Sequence, residues 1–199
     1  MVSLDLVWQA IVYGLIMGSV YALTSSGLTL ILGVLKIINV SHGEFLMVAM
    51  YAAFFLFSGF QLDPILSIFI LLPALFFFGA VIFYFFSKPI LKAPEINQIL
   101  LTIGISIFLQ NLALSLFTGD FRTLDLSYSQ KTVSLGKVSI GYPHGIAFLL
   151  SISVTLGFYW FLRATDLGRS IRAAAQNREA AILFGINVDR IFMITFAIG

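Results

Sequence analysis

Arg163–Arg190, RATDLGRSIRAAAQNREAAILFGINVDR, is water-compatible and lies between strongly apolar runs, and the reading of the whole chain turns on it. It holds Arg163, Arg169, Arg172, Arg178 and Arg190, five of the eleven basic residues. Basic residues beside membrane spans concentrate on the cytoplasmic face, so the segment is expected there and fixes the direction of its neighbours. Its interior reads as helix, turn, helix. Ser170 to Gln176 is rich in helix formers, and Glu179 to Phe184 ends at Gly185, the residue type that most often caps a helix C-terminus. A folded cytoplasmic loop of this kind suggests docking on a partner.

Working outward, the composition requires a membrane. With 60% hydrophobic residues, 10% charged and a mean hydropathy of +1.04, there is too little polar surface to cover a soluble globule. Several runs reach the roughly 20 apolar residues of a helical span, whereas alternating ten-residue segments of a barrel are absent. The expected fold is all-α: a multi-pass helical membrane protein with five complete spans, a broken segment and a truncated further span, forming one domain over residues 1–199. The formal charge of +2 is small and localised, which argues against nucleic acid as a partner. With no Cys, disulfides, thiol catalysis and thiolate metal sites are excluded. No Lys or Arg precedes Lys36, so the first apolar run lacks the basic start of a cleaved signal peptide and is expected to stay as a span.

The first run, Leu6 to Leu35, is long for one span and is interrupted by Gly27 and Gly33. A tilted helix, or a helix plus a short broken piece, would fit. Gly14, Gly18, Ala22 and Ser26 recur every four residues and read as a packing stripe, since small side chains let membrane helices approach closely. After it, KIINVSHGE places Asn39, Ser41, His42 and Glu44 between two apolar runs. These residues suit either capping of a break between helices or the lining of a substrate path. A metal or acid–base role needs more convergent ligands than His42 and Glu44 supply.

A second span is expected from Phe45 to Phe57, and a third begins at the Asp63–Pro64 cap and runs to Phe86 with a kink at Pro73. A fourth runs from Glu95 to Thr118. On it Gln98, Thr102, Ser106 and Gln110 stand four apart and form a hydrogen-bonding ribbon that should not face lipid. Thr102 and Ser106 read as packing groups, worth about 0.6 kcal/mol each on average; Gln110 with neighbouring Asn111 reads as pathway. In the polar connection 119–142, Val133, Leu135, Val138 and Ile140 flank Gly136–Lys137 as in a small hairpin. A fifth span covers Gly145 to Leu162. With Arg163 inside, eight basic residues fall inside and three (Arg122, Lys131, Lys137) outside, if residues 6–35 form one helix.

No G-x-x-x-x-G-K-[ST] phosphate loop occurs, so no ATPase site is expected in this chain. Glu179-Ala180-Ala181 followed by Gly185 resembles the EAA-x-x-x-G loop of ABC-importer permeases. GLTLILGVLKIINVSHGEFLMVAMYAA (Gly27–Ala53), TIGISIFLQNLAL (Thr102–Leu114) and LGRSIRAAAQNREAAILFGINVDRI (Leu167–Ile191) narrow it. Together they resemble the H-type permease subunit of branched-chain amino-acid (leucine, isoleucine, valine) ABC importers. The I-x-L-P end of the full loop motif is replaced by TFAIG at Thr195–Gly199.

That resemblance implies a non-enzymatic transport subunit without a cofactor, in the bacterial cytoplasmic (inner) membrane. It implies as partners two ATP-binding subunits, a homologous second permease subunit and an extracytoplasmic substrate-binding protein. Arg178, Glu179, Ala180, Ala181 and Gly185 would form the docking contact within a coupling loop at 163–190. It also implies further spans beyond Gly199, so a truncated member is expected. The residues leave three other readings open. Permeases for urea or another amide are related; an ion-coupled secondary transporter or channel would need acidic residues deep in spans; a membrane enzyme would need a convergent nucleophile or metal cluster.

Overall fold

A helix start shows how local sequence sets the architecture. Asp63 accepts a hydrogen bond from the Ile65 N–H (Oδ1 to N 2.9 Å), and Pro64 occupies the first helical position, where its missing N–H costs nothing. In the computed structural model, which describes residues 4–136 and 138–199, the chain runs as α1 (Leu4–Leu35), α2 (His42–Phe60), α3 (Pro64–Ile82), a π-helical turn (Phe83–Ser87) and α4 (Lys88–Ile90), then α5 (Glu95–Phe117). A two-stranded hairpin follows, β1 (Thr132–Leu135) and β2 (Val138–Gly141), then α6 (Tyr142–Ala164), α7 (Asp166–Gln176), α8 (Arg178–Leu183) and α9 (Val188–Ile198). Among the described residues, five stretches are long and apolar enough to cross a membrane: α1, α2, Pro64–Ile90, α5 and α6.

The alternatives for the first run resolve to one continuous 32-residue helix through Gly27 and Gly33. The second span begins at His42 and reaches Phe60, longer than the 45–57 expected, because the polar residues His42 and Glu44 join its first turn. Pro73 lies inside α3, and helical geometry departs from the α form later, in the π turn. That turn carries the helical stretch on to Ile90, past the expected end at Phe86. The small hairpin forms with antiparallel register Thr132↔Gly141, Val133↔Ile140, Ser134↔Ser139 and Leu135↔Val138, and Gly136 supplies the positive φ (+65°) of its turn. Lys137 lies outside the described residues.

The chain packs as two compact units, one of residues up to Gly27 with Asp125–Gly168, the other of Leu28–Leu124 with Arg169–Gly199. In the first, the Gln9 side chain on α1 pairs with the hairpin as a peptide group would. Its amide donates to the Ser139 carbonyl (2.7 Å) and accepts from the Ser139 N–H (3.1 Å). Tyr13 meets the edge of His144 at 5.4 Å between ring centres.

In the second unit α9 packs along α3, and aromatic rings fix the junction. Phe196 lies 5.7 Å from Phe83 and 6.3 Å from Phe45, and Phe45 makes an edge contact with Phe78 at 5.9 Å. Phe83 and Phe196 are buried, while Phe69, Phe77 and Phe108 point outward, as lipid-facing side chains do. α3 and α9 approach so closely at Gly79 that a Cβ there would stand 3.0 Å from the Ala197 Cα, whereas Gly104 of α5 has nothing within 4 Å. Gly79→Val should therefore lower stability by about 1–3 kcal/mol. Gly104→Ala should leave it unchanged or raise it by up to about 1 kcal/mol. The melting midpoints of the two detergent-purified variants check this, and equal midpoints would contradict the close α3–α9 approach.

Candidate substrate path and docking segment

Between α1 and α2 the backbone leaves helical geometry. Lys36 sits at φ +59°, a left-handed conformation that costs an L-residue roughly 1–2 kcal/mol, and it turns the chain out of α1. The residues that follow cannot bond to one another as a helix does, and side chains complete them. The Thr102 hydroxyl of α5 accepts from the Val40 N–H (3.3 Å) and lies within donating distance of the Ile38 carbonyl (3.1 Å) and of the Ile99 carbonyl of its own helix (3.0 Å). Ser41 donates to the Asn39 side-chain oxygen at 2.8 Å, and both residues are buried. The Asn39 Nδ2 is buried without a hydrogen-bond partner.

Farther along the same face of α5 the character changes. Gln110 donates to a Glu44 carboxylate oxygen at 2.6 Å and to the Ser106 hydroxyl at 3.3 Å, and the Glu44–Gln110 contact is exposed. Glu44 and Gln110 thus form an exposed seam between the start of α2 and α5, while Asn39, Ser41, Thr102 and Ser106 are all buried. His42, half-buried, opens α2 and its N–H donates to the Asn39 carbonyl (3.4 Å). Asn111 does not join them. Its amide donates to the Ile107 carbonyl (2.7 Å) on the exposed side of its own helix, because one residue along a helix turns a side chain by about 100°.

Above α2 and the chain after α5, Met47, Met50, Tyr51, Phe54, Asp120 and Arg122 line a cavity of about 430 Å³. The Arg122 guanidinium lies 5.3 Å from the Phe54 ring centre and 5.7 Å from that of Phe55, and donates to the Phe117 carbonyl at 2.7 Å. Asp120 accepts from Thr118 at 2.6 Å. One cation and one carboxylate at the mouth of an aromatic and thioether-lined hollow make an environment for a small amphiphilic molecule. The sequence reading missed this cavity, because Arg122 and Met50 are remote in the chain. Among the described residues, no three His, Asp or Glu side chains are gathered to hold a metal ion.

The docking candidates lie on α8 and its C-terminal cap. Asn177 caps α8, its side chain accepting from the Ala180 N–H at 3.0 Å. At the other end the Gly185 N–H bonds the Ile182 carbonyl (2.9 Å) and the Ile186 N–H bonds the Ala181 carbonyl (3.0 Å), with Gly185 at φ +79°. These paired bonds form a Schellman cap, which needs the left-handed residue that glycine supplies at least cost.

Not every expected docking residue is free to touch a partner. Ala181 is buried, at 2% exposure, so its small side chain serves packing within the chain. Arg178 lies 4.0 Å from Asp189 and over the Phe192 ring at 5.2 Å, which ties α8 to α9. Glu179 is exposed and Ala180 half-buried. The bare surface lies one turn on: Leu183 and Phe184 are 88% and 86% exposed, an apolar tip signalled only by the ILF triplet beside the motif. The small-residue stripe is also open. Gly14, Gly18 and Ala22 are exposed, and a Cβ on Gly14 or Gly18 would meet nothing within 4 Å among the described residues. Ser26, half-buried, bonds the Leu23 carbonyl of its own helix at 2.6 Å.

The family described as branched-chain amino acid transport system / permease component matches residues 10–199. The high-affinity branched-chain amino acid transport system permease protein LivH of Salmonella typhimurium is 30% identical over 204 aligned positions, covering 96% of this chain and 66% of the relative. BraD of Pseudomonas aeruginosa, a permease protein of the same description, is 29% identical over 203 positions with the same coverage. A probable LivH of Methanocaldococcus jannaschii is 28% identical over 185 positions, covering 88% of this chain and 57% of that protein. The chain therefore spans just under two thirds of the length of the first relatives. No solved structure matches it. A match over 190 of 199 residues, carried by membrane helices with a polar seam and a capped helix pair, decides the assignment: this chain belongs to the permease-component family of branched-chain amino acid transport systems.

Proposed function

We propose that the chain is a membrane-spanning permease subunit that carries branched-chain amino acids inward across the bacterial cytoplasmic membrane, driven by ATP hydrolysis on separate subunits. The observation that carries this reading is the α7–α8 pair. It is a basic segment that follows the α6 membrane helix, closed by a Schellman cap, presenting an apolar tip at Leu183 and Phe184 in a chain of this family.

With α7 and α8 on the cytoplasmic side, the positive-inside rule is met by Lys36, Lys88 and Lys92 as well, and a single α1 crossing puts the N-terminus outside. Residues 163–190 then act as the coupling loop. Two ATP-binding subunits would receive the apolar tip and Glu179, a homologous second permease would complete the path, and a substrate-binding protein would deliver the amino acid from outside. Closure of the ATP-binding subunits moves the short capped helices as rigid bodies, and the path rearranges with them. On the outer side the Met47–Phe54 cavity offers Arg122 to a carboxylate, Asp120 to an ammonium group and aromatic and thioether walls to an aliphatic side chain. The exposed Glu44–Gln110 contact offers the path a further polar group on α2 and α5.

Two measurements in proteoliposomes containing the full transporter test the reading. Gly185→Val places a β-branched residue at φ +79°, where it cannot hold the cap. Leucine uptake should fall about tenfold, the effect of some 1.4 kcal/mol, while ATP hydrolysis and membrane insertion persist; normal uptake would remove the docking role. Gln110→Leu strips Glu44 of its amide partner and should also cut uptake severalfold. Asn111→Leu, altering a side chain bonded to its own helix, should transport normally, and equal loss in both would count against the seam.

A further inference from the structure

A second cavity, of about 250 Å³, lies at the α7 end of the larger unit, and Leu35, Lys36, Glu95, Gln98, Arg178 and Phe192 are among its lining residues. α5 begins there. Pro94 stands at its N-cap position and has no side-chain acceptor to offer, so no side chain caps the first turn, and the positive end of the helix faces the cavity. Gln98, one turn in, is 7% exposed. Its amide nitrogen donates to the Ala93 carbonyl at 3.1 Å, and its side-chain oxygen is buried without a partner. A buried acceptor left empty carries its desolvation penalty uncompensated, which marks it as a place for a donor that arrives with a ligand.

We infer that this cavity is a product-side binding site for a free aliphatic amino acid, through which the transported class of solute slows its own import. The assignment rests on the transport reading above. The polar groups are of both signs: Lys36, Arg178 and the α5 N-terminus suit a carboxylate, and Glu95 with the Gln98 oxygen suits an ammonium group. Leu35 and Phe192 give an apolar wall to an aliphatic side chain. The volume is below the roughly 300–1,000 Å³ of sites for drug-sized ligands, so one small solute fits and a nucleotide does not.

The site joins residues of α1, α5, α7, α8 and α9. Ala174, Ala175 and Gln176 of α7 and Arg178 of α8 line one side, the end of α1 and the start of α5 the others. A ligand touching all of them favours the arrangement in which α7 and α8 stay against α5, and opposes any state in which the coupling helices move away. Reciprocity requires that the moved state bind the amino acid correspondingly weakly.

The complete transporter is reconstituted in proteoliposomes with its ATP-binding face inside, and initial uptake of labelled leucine is measured at increasing concentrations of preloaded unlabelled leucine. Wild-type uptake should fall about fivefold or more at saturation. Glu95→Gln, on an exposed side chain, and Gln98→Met, which keeps the length without the acceptor, should transport at the wild-type rate without preloading. Each should need about tenfold more leucine for half-inhibition, a change of 1.4 kcal/mol. Uptake by wild type without inhibition, or equal inhibition of wild type and both variants, overturns the inference while leaving the transport reading intact. Absence of any ATP-driven leucine uptake by wild type overturns both.

Discussion

Everything in the larger unit hangs on a backbone that must leave helical geometry without losing its hydrogen bonds. Ile37, Asn39 and Ser41 are buried, so water does not replace them, and a buried peptide group left unsatisfied is costly. The chain meets this at Lys36–Ser41 by lending one hydroxyl from α5: Thr102 serves the Val40 N–H and the Ile38 carbonyl together. Because Thr102 is fixed on a helix, the break sits at one height along α5, and Ser106 and Gln110 follow one and two turns farther on. The polar ribbon is therefore one device with a graded role: its buried part holds the break, and its exposed end meets Glu44.

The distribution of side chains follows from lipid as the solvent. Buried positions include Asn39, Ser41, Ser67, Gln98, Thr102, Ser106 and Thr195, while many of the largest apolar side chains lie outside. Lipid is as apolar as Leu, so burying Leu against Leu brings little, and association depends on close fit and on hydrogen bonds. The fit appears where Gly79 lets α9 lie against α3, and where Phe45, Phe78, Phe83 and Phe196 meet edge to face or tilted.

What the sequence made legible was local. The Asp63–Pro64 start, the Gly136 hairpin turn and the Gly185 cap each need a residue type that few other places accept, so each could be read in isolation. The four-residue spacing from Gln98 to Gln110 was also sufficient, since helical geometry alone puts these residues on one face. Contacts between distant segments were not. Glu44 and Gln110 were both candidates, but nothing in the spacing pairs them, and Asn111 joined Gln110 in the reading only as its neighbour. Small residues were the least legible. Alanine at 181 and glycine at 14 and 18 are compatible with close approach by anything, and only coordinates separate a buried alanine from an open glycine.

The geometry around α8 ties its apolar tip to the rest of the larger unit. Arg178 is held by Asp189 and Phe192 of α9, and Asp189 lies 3.3 Å from Lys88 in α4 as well, so α4, α8 and α9 meet at one carboxylate. From there α9 runs along α3, and its Phe196 packs against Phe83, the first residue of the π turn. A push on Leu183 and Phe184 cannot be absorbed within α8, which is six residues long and capped at both ends. It must be taken up by α9 or by the bonds at Asp189. Those bonds are half-exposed and therefore weak, whereas the aromatic contacts are buried, so the α9–α3 packing is the stiffer of the two and the polar junction is where the segment can give.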